Sequence, residues 1–292
     1  MKKIIATIYF MFVIFMTSFG NVYSMEWDCV VTTNTGTFTR STDCTISGIN
    51  HVAVVNTLEI VGTNSDMNNL ITITAATNQR HFFLNHANAK LTLRYLKLVG
   101  GDVSSYSDSH AFRGGSIYIS DNGGELNLYS SIVFNNKAKY GGGIYPHGAS
   151  STNKNAIMNI YNSIIHNNIA TDGGGGIVMV HAVGTIYNTT IDNNQGSLYS
   201  GGMRIYNSDV TMKNTIISNN KAGRGGGLRI YGDSTTVTLR QSSFINNDAT
   251  NNGDEIYTYD SPTISLINTY FNNPNNNNNI YKESGTPTWK TC

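Results

Sequence analysis

A stretch from Gly225 to Asn247 reads GGGLRIYG, a polar spacer, then VTLRQSSFINN, and altered copies of it fill most of Gly114–Asn273. Repetition at such a period demands stacked units, because each unit leaves an apolar side that only the next can cover. Asn pairs fall at Asn135-Asn136, Asn167-Asn168, Asn193-Asn194, Asn219-Asn220 and Asn246-Asn247, in steps of 32, 26, 26 and 27 residues. The apolar residues after the glycine runs (Ile117, Ile144, Ile177, Met203, Leu228, Ile256) keep similar steps. The extra residues of the longest step lie in the polar segment GASSTNKNA, which reads as a loop.

Within a copy the hydrophobic period is two. Leu228-Arg229-Ile230-Tyr231 and Val237-Thr238-Leu239 alternate apolar and polar residues, the pattern of half-buried strands. A third short strand carries Phe244 or Ile217 into the Asn pair. Glycine triplets and β-branched runs oppose helical-hairpin repeats of similar length. The fold class expected is all-β: a single-stranded parallel β-helix with three strands per coil and capped ends.

Aligned copies give columns. Leu128, Ile160, Ile186, Met212, Leu239 and Leu266 form one expected core row, and Val133, Ile165, Ile191, Ile217, Phe244 and Phe271 another. Continued alternation points Asn135, Asn167, Asn193, Asn219, Asn246 and Asn273 inward, as a structural ladder of stacked amides that satisfy one another. Ser130, Asn162, Asn188, Asn214, Gln241 and Asn268 are expected at a second turn. Asn188 also begins the sequon Asn188-Thr189-Thr190, but its column makes it a turn residue first.

GGGIY, GGGLRIY and FINN resemble the GGA[ILV] and FxxN motifs of the chlamydial polymorphic membrane proteins and the wider right-handed, pectin-lyase-like β-helix repeats. The resemblance spans roughly residues 90–273 and implies a right-handed solenoid. It implies activity less firmly, since such proteins include adhesins and carbohydrate-acting enzymes. The sixth copy departs from the pattern, with GDEIY for GGGI and FNNP for FINN, as at the end of a ladder. No membrane β-barrel sequence follows, so a full autotransporter of that type is not expected.

Lys2-Lys3, an apolar run from Ile4 to Phe19 and small residues before Met25 form the pattern of a secretory signal peptide over residues 1–24. The mature product is expected to be secreted, extracellular or at the cell surface, without a transmembrane segment. Residues 25–50 read as an N-terminal cap, 51–273 as the β-helix, and 274–292 as a C-terminal tail or cap. Secretion permits a Cys29–Cys44 disulfide in the first cap, leaving Cys292 over. The polar stretch from Asp102 to Arg113 is expected to project as a loop.

Only 13% of residues are charged and the net charge is +1, which argues against nucleic acid as a partner. Candidate binding residues lie on the outward positions of the first strand. One column runs Tyr118, Tyr145, Val178, Arg204, Arg229, Tyr257; the next runs Ser120, His147, Val180, Tyr206, Tyr231, Tyr259. As an exposed face they offer rings for sugar stacking and guanidinium groups for carboxylates, so a polysaccharide or a cell-surface protein or glycan is the expected partner. A polysaccharide lyase or glycoside hydrolase is the alternative, with Arg204 and Arg229 beside Asp254 and Glu255; calcium enters only there, and no other cofactor is expected. A purely structural solenoid is the third reading. The other carboxylates are scattered over separate turns, and the seven histidines read as surface residues without metal-ligand spacing.

Overall fold

The computed structural model describes residues 25–32, 34–47, 51–107, 111–272 and 279–291. The leader, Asn273, Pro274, the asparagines at 275–278 and Cys292 lie outside them. The described residues form strands, turns and irregular segments, with no helix. Every strand pairs in parallel with its equivalents in the coils before and after, so the chain winds as one stack.

Three sheets run along the stack. The longest, of 11 strands, includes Gly124–Tyr129, Ala156–Tyr161, Ala182–Tyr187, Asp209–Lys213 and Thr236–Arg240. A nine-stranded sheet includes Ile132–Phe134, Ile164–His166, Thr190–Asp192, Ile216–Ser218 and Ser243–Ile245. The other nine-stranded sheet includes Ile117–Ile119, Ile144–Pro146, Ile177–Val180, Met203–Tyr206, Leu228–Tyr231 and Ile256–Tyr259. In the middle coils a fourth, shorter sheet is added after the Asn pair: Lys137–Tyr140, Ile169–Gly173, Gln195–Gly196, Lys221–Arg224 and Asp248–Asn252. Sequence periodicity passed over it because Lys137-Ala138-Lys139-Tyr140 and Lys221-Ala222-Gly223-Arg224 carry only one small apolar residue each.

Both ends join the ladders. Met25–Glu26 pairs with Gly36–Arg40, which pairs with Thr57–Gly62. Cys29 is bonded to Cys44, whose strand Cys44–Thr45 pairs with Ile71–Thr74. Ile280–Lys282 and Thr288–Thr291 extend two of the sheets at the other end. The segment after Gly101 is held rather than projecting at its two ends, since Asp102 bridges to Lys137 and Arg113 to Tyr140. The loop within GASSTNKNA is stapled by Lys154, whose Nζ reaches Asp209 Oδ1 at 2.8 Å and the Ser234 carbonyl at 2.9 Å.

Period-two alternation fills the interior. Leu128, Ile160, Ile186, Met212 and Leu239 are fully buried, as are Val133, Ile165, Ile191, Ile217 and Phe244; Leu266 and Phe271 are half-buried near the end of the stack.

The asparagine ladder is shifted by one residue from the sequence expectation. Asn135, Asn167, Asn193, Asn219 and Asn246 take positive φ, between 49° and 56°, and turn the chain with their side chains outward or half-exposed. Asparagine tolerates this region better than most residues. The turn breaks the alternation, so the second asparagine of each pair points inward. Asn136 Nδ2 donates to Asn168 Oδ1, Asn168 to Asn194, Asn194 to Asn220 and Asn220 to Asn247, at 2.8–3.0 Å. Each Nδ2 also donates to a strand carbonyl: Leu98, Val133, Ile165, Ile191 and Ile217 in turn. The Ser130, Asn162, Asn188, Asn214, Gln241 and Asn268 column makes the other left-handed corner, with φ of 44–52°. At that corner Asn188 is exposed and donates to Asn162 Oδ1 at 2.8 Å.

Glycines let the ladder pass. A Cβ at Gly143, Gly176, Gly202 or Gly227 would lie 2.6–2.7 Å from a carbonyl oxygen of the next coil and 3.1–3.3 Å from a ladder amide. At both ends of the ladder a polar residue takes the glycine position. His81 sits there first, fully buried, with Nε2 on the Ile73 and Val99 carbonyls and Ser116 Oγ on Nδ1. Glu255 takes the position after Gly227, with Asn279 in line one coil further, and accepts from Asn247 Nδ2. His81 is therefore a core residue, not a surface one: its ring bonds the same carbonyl column that the asparagines bond.

Asn194→Ala is expected to lower unfolding stability in urea by about 1–3 kcal/mol, because it leaves buried ladder donors unpaired. Asn193→Gly, at the left-handed turn beside it, is expected to cost less than about 1 kcal/mol. Equal losses would overturn the assignment of the ladder to the second asparagine.

Burial pushes the Glu255 carboxyl up to about 7, against the lowering effect of Asn247. Folding thus favours its protonated form, and this contribution is full below about 4.5 and lost as pH rises through about 7. Burial lowers His81 to about 4, so its contribution runs the other way and is lost as pH falls from about 6.5 to 4. Stability measured as the difference between Glu255→Gln and wild type isolates the carboxyl. That difference is expected to rise in favour of the variant by about 3 kcal/mol between pH 4.5 and 7. A difference flat with pH would show that Glu255 is not held in this environment.

Candidate binding cleft

The outward columns of the third sheet are adjacent in register: Tyr118 with Tyr145, Val178 with Arg204, Arg204 with Arg229, and Arg229 with Tyr257. His147 bridges to Val180, and Tyr206, Tyr231 and Tyr259 follow in line. They do not form the exposed flat face that alternation implies. Tyr118 and Tyr257 are fully buried, Tyr145, Tyr231 and Arg229 are buried, and Arg204, His147, Tyr206 and Tyr259 are half-buried.

The cover is a second row, carried by the fourth sheet. Arg113, Tyr140, Gly173, Tyr199 and Arg224 are paired successively across five coils, and Arg224 is paired with Asn252. Each of these residues stands at or just before a turn of positive φ, at Gly114, Gly141, Gly174, Ser200, Gly225 and Gly253. The turn folds the second row back over the first. Space there is tight: a Cβ on Gly141 would lie 3.0 Å from Tyr145 Cβ, and one on Gly253 2.8 Å from Tyr257 Cβ. Sequence reading missed this row, although the residue before each glycine run recurs as a column of its own.

At one end of the cleft, Tyr118, Tyr145 and Val178 pack with Phe83, Tyr140 and Val180 into a small apolar cluster outside the main core. Arg80 lies over Phe83 and Tyr118, and Arg113 lies over Tyr145 with Nη1 3.2 Å from His147 Nδ1. Burial pushes the Tyr145 phenol up to about 12, so it stays protonated.

The other end is a mesh of guanidinium groups and rings. The Arg229 guanidinium carbon lies 4.0 Å from the Tyr199 ring centre and 4.5 Å from that of Tyr231, with Tyr257 and Tyr259 farther round. Arg204 Nε donates to Tyr231 Oη at 2.7 Å, and its Nη2 donates to the same oxygen. Tyr140 Oη donates to Asp172. Glu283 accepts from Tyr257 Oη and pairs with Arg224 at 3.6 Å. A shallow depression is lined by Ser197, Leu198, Tyr199, Arg224 and Thr250.

The tyrosines spend their faces on one another. Tyr206, Tyr231 and Tyr259 stack at 4.6 and 4.9 Å with planes 24° and 16° apart, and the stack continues through His181 to His147. Rings in register about 4.8 Å apart can stack this way, whereas Tyr118 and Tyr145, also in register, meet edge to face with planes 78° apart. Sugar rings therefore do not find the flat faces expected from sequence; phenol rims and guanidinium edges are what the row presents.

The carboxylates paired with Arg229 in the enzymatic alternative point elsewhere. Glu255 turns inward to Asn247, and Asp254 Oδ1 accepts from the Ala249 amide. Among the described residues no group of three His, Cys, Asp or Glu side chains is placed to hold a metal ion.

Tyr231→Phe removes the oxygen that accepts two Arg204 donors. It is expected to lower stability by about 1–3 kcal/mol in urea unfolding, while Tyr206→Phe changes it by less than about 0.5 kcal/mol. Equal effects would show that the Arg204 contact carries no weight.

Residues 147–273 match the family model described as the right handed beta helix region. No curated protein and no solved structure matches the chain.

Proposed function

Because residues 147–273 are a right-handed β-helix region and the same parallel ladders continue on both sides of it, we propose that the protein is a secreted, non-catalytic solenoid that binds an extended glycan along the Arg/Tyr cleft. One observation carries the reading. Two rows on different sheets face each other from Arg113 to Arg224 and carry Arg or Tyr in every coil except that of Gly173 and Val178. A linear repeat of polar groups suits a linear polymer with its own repeat. Phenol and guanidinium groups hydrogen-bond hydroxyl and acidic substituents without needing a free ring face.

Secretion is supported by the leader pattern of residues 1–24 and by the Cys29–Cys44 bond, which suits an oxidising compartment. The non-catalytic part of the reading is supported by the engagement of Asp254 and Glu255 in local hydrogen bonds away from Arg229.

The test is retention on a panel of neutral and acidic polysaccharides, with wild type beside Tyr199→Ala/Arg224→Ala and with calcium present or absent. Expected is retention of wild type, at least about tenfold weaker in the double variant, without new reducing ends or unsaturated sugars. Released products lost in the variant would make the protein an enzyme. No retention of any polysaccharide would leave the structural solenoid.

A further inference from the structure

Arg229 is only 6% exposed, yet no hydrogen bond or carboxylate reaches its guanidinium among the described residues. Its Nε is buried without an acceptor. Four tyrosine rings surround it, and rings satisfy the charge in part but accept none of its in-plane N–H groups well. The neighbour in register on the same face is Arg204, a second cation about one strand spacing away. Like charges side by side on a sheet oppose folding, and a buried unpaired guanidinium opposes it further. Burial, and then Arg204, pull the affinity of Arg229 for its proton down.

The other arginines of the cleft each have some hydrogen-bond or ion partner. Arg224 has Glu283, Arg80 donates to the Ala111 carbonyl and Arg113 to Tyr118 Oη, although the Nε of Arg80 and of Arg113 is buried without an acceptor too. Arg204 donates to Tyr231 Oη and feels the Asp172 carboxylate at longer range, but makes no close ion pair of its own among the described residues. Among the described residues Arg229 is thus the cleft arginine without any hydrogen bond, next to a second guanidinium on Arg204 and against the ring of Tyr199, which also lines the depression beside Leu198.

We infer that Arg229 and Arg204 form an oxyanion site, which takes a carboxylate or sulfate group borne on the saccharide chain. The inference deepens the glycan reading and rests on it for the chain that bears the group, but not for the anion itself. A planar or tetrahedral oxyanion accepts two parallel N–H bonds from one guanidinium, and a second guanidinium alongside adds charge. The Tyr199 ring lies against Arg229, 4.0 Å from its guanidinium carbon, and limits the directions from which an anion can approach. Residues on two sheets are thereby held for one group of the ligand, and neutral sugars contribute hydrogen bonds on either side.

The first measurement is thermal unfolding of the full mature chain in sodium sulfate or acetate against sodium chloride at matched ionic strength. Wild type is expected to gain several degrees from sulfate over chloride. Arg229→Met removes the charge but keeps the stem between the rings, and is expected to lose that gain; Arg204→Gln is expected to lose most of it, and Arg229→Lys to keep a part. Equal behaviour of wild type and Arg229→Met would overturn the anion site. The second measurement is binding of sulfated and uronic-acid oligosaccharides beside their desulfated and carboxyl-reduced forms. Removal of the acidic group is expected to weaken binding by about tenfold or more in wild type and by less than about twofold in Arg229→Met. The sulfated and carboxylated arms show which source the site prefers. Neutral and acidic forms bound alike would overturn the inference and leave glycan binding standing. A sulfate gain without binding of any oligosaccharide would support the anion site and sink the glycan reading.

Discussion

The amide ladder inside the second asparagine column is the interaction on which the coil depends. At that corner the chain leaves one sheet and must enter the next, and each ladder amide reaches back to a strand carbonyl of the preceding coil, at Leu98, Val133, Ile165, Ile191 and Ile217 in turn. An asparagine supplies both what a carbonyl needs and what the next amide needs, so each coil satisfies its neighbour. The same demand explains the glycines one strand later, since any Cβ there would meet the next coil's carbonyl oxygen. It also explains the ends. Where the asparagines stop, His81 and Glu255 stand in the glycine column and supply the missing donor or acceptor.

The corner that makes the ladder also makes the cleft. After the buried asparagine the chain runs on as the short fourth sheet, then reverses at a residue of positive φ before the third sheet begins. The row ending the fourth sheet is thereby laid over the outward row of the third. Arginine and tyrosine at these positions become walls facing each other rather than an open surface. A solenoid with a simple three-sided section would have left the same residues fully solvated.

Register then fixes the chemistry within the cleft. Parallel stacking places like beside like, so tyrosine falls on tyrosine and arginine on arginine. For tyrosines this is favourable, because the rings stack. For arginines it concentrates positive charge, and the rings around Arg229 answer only part of it. The repeat that stabilises the fold is thus what creates the electrostatic deficit proposed here as the ligand site.

The amino-acid sequence alone determined the β-helix. Its period, the two-residue alternation of Leu228-Arg229-Ile230-Tyr231 and the inward rows ending in Phe244 are local patterns that admit one way of stacking. The membership of the outward columns was likewise legible, as was the pairing of Cys29 with Cys44. What only the tertiary structure decided was which way residues face after a turn. A single residue of positive φ shifts alternation by one, so the buried ladder is Asn136, Asn168, Asn194, Asn220 and Asn247 rather than the asparagines before them. The same kind of turn brings Tyr199 onto Arg229 from another sheet, a contact 30 residues of counting cannot reveal because it depends on where the backbone reverses in space.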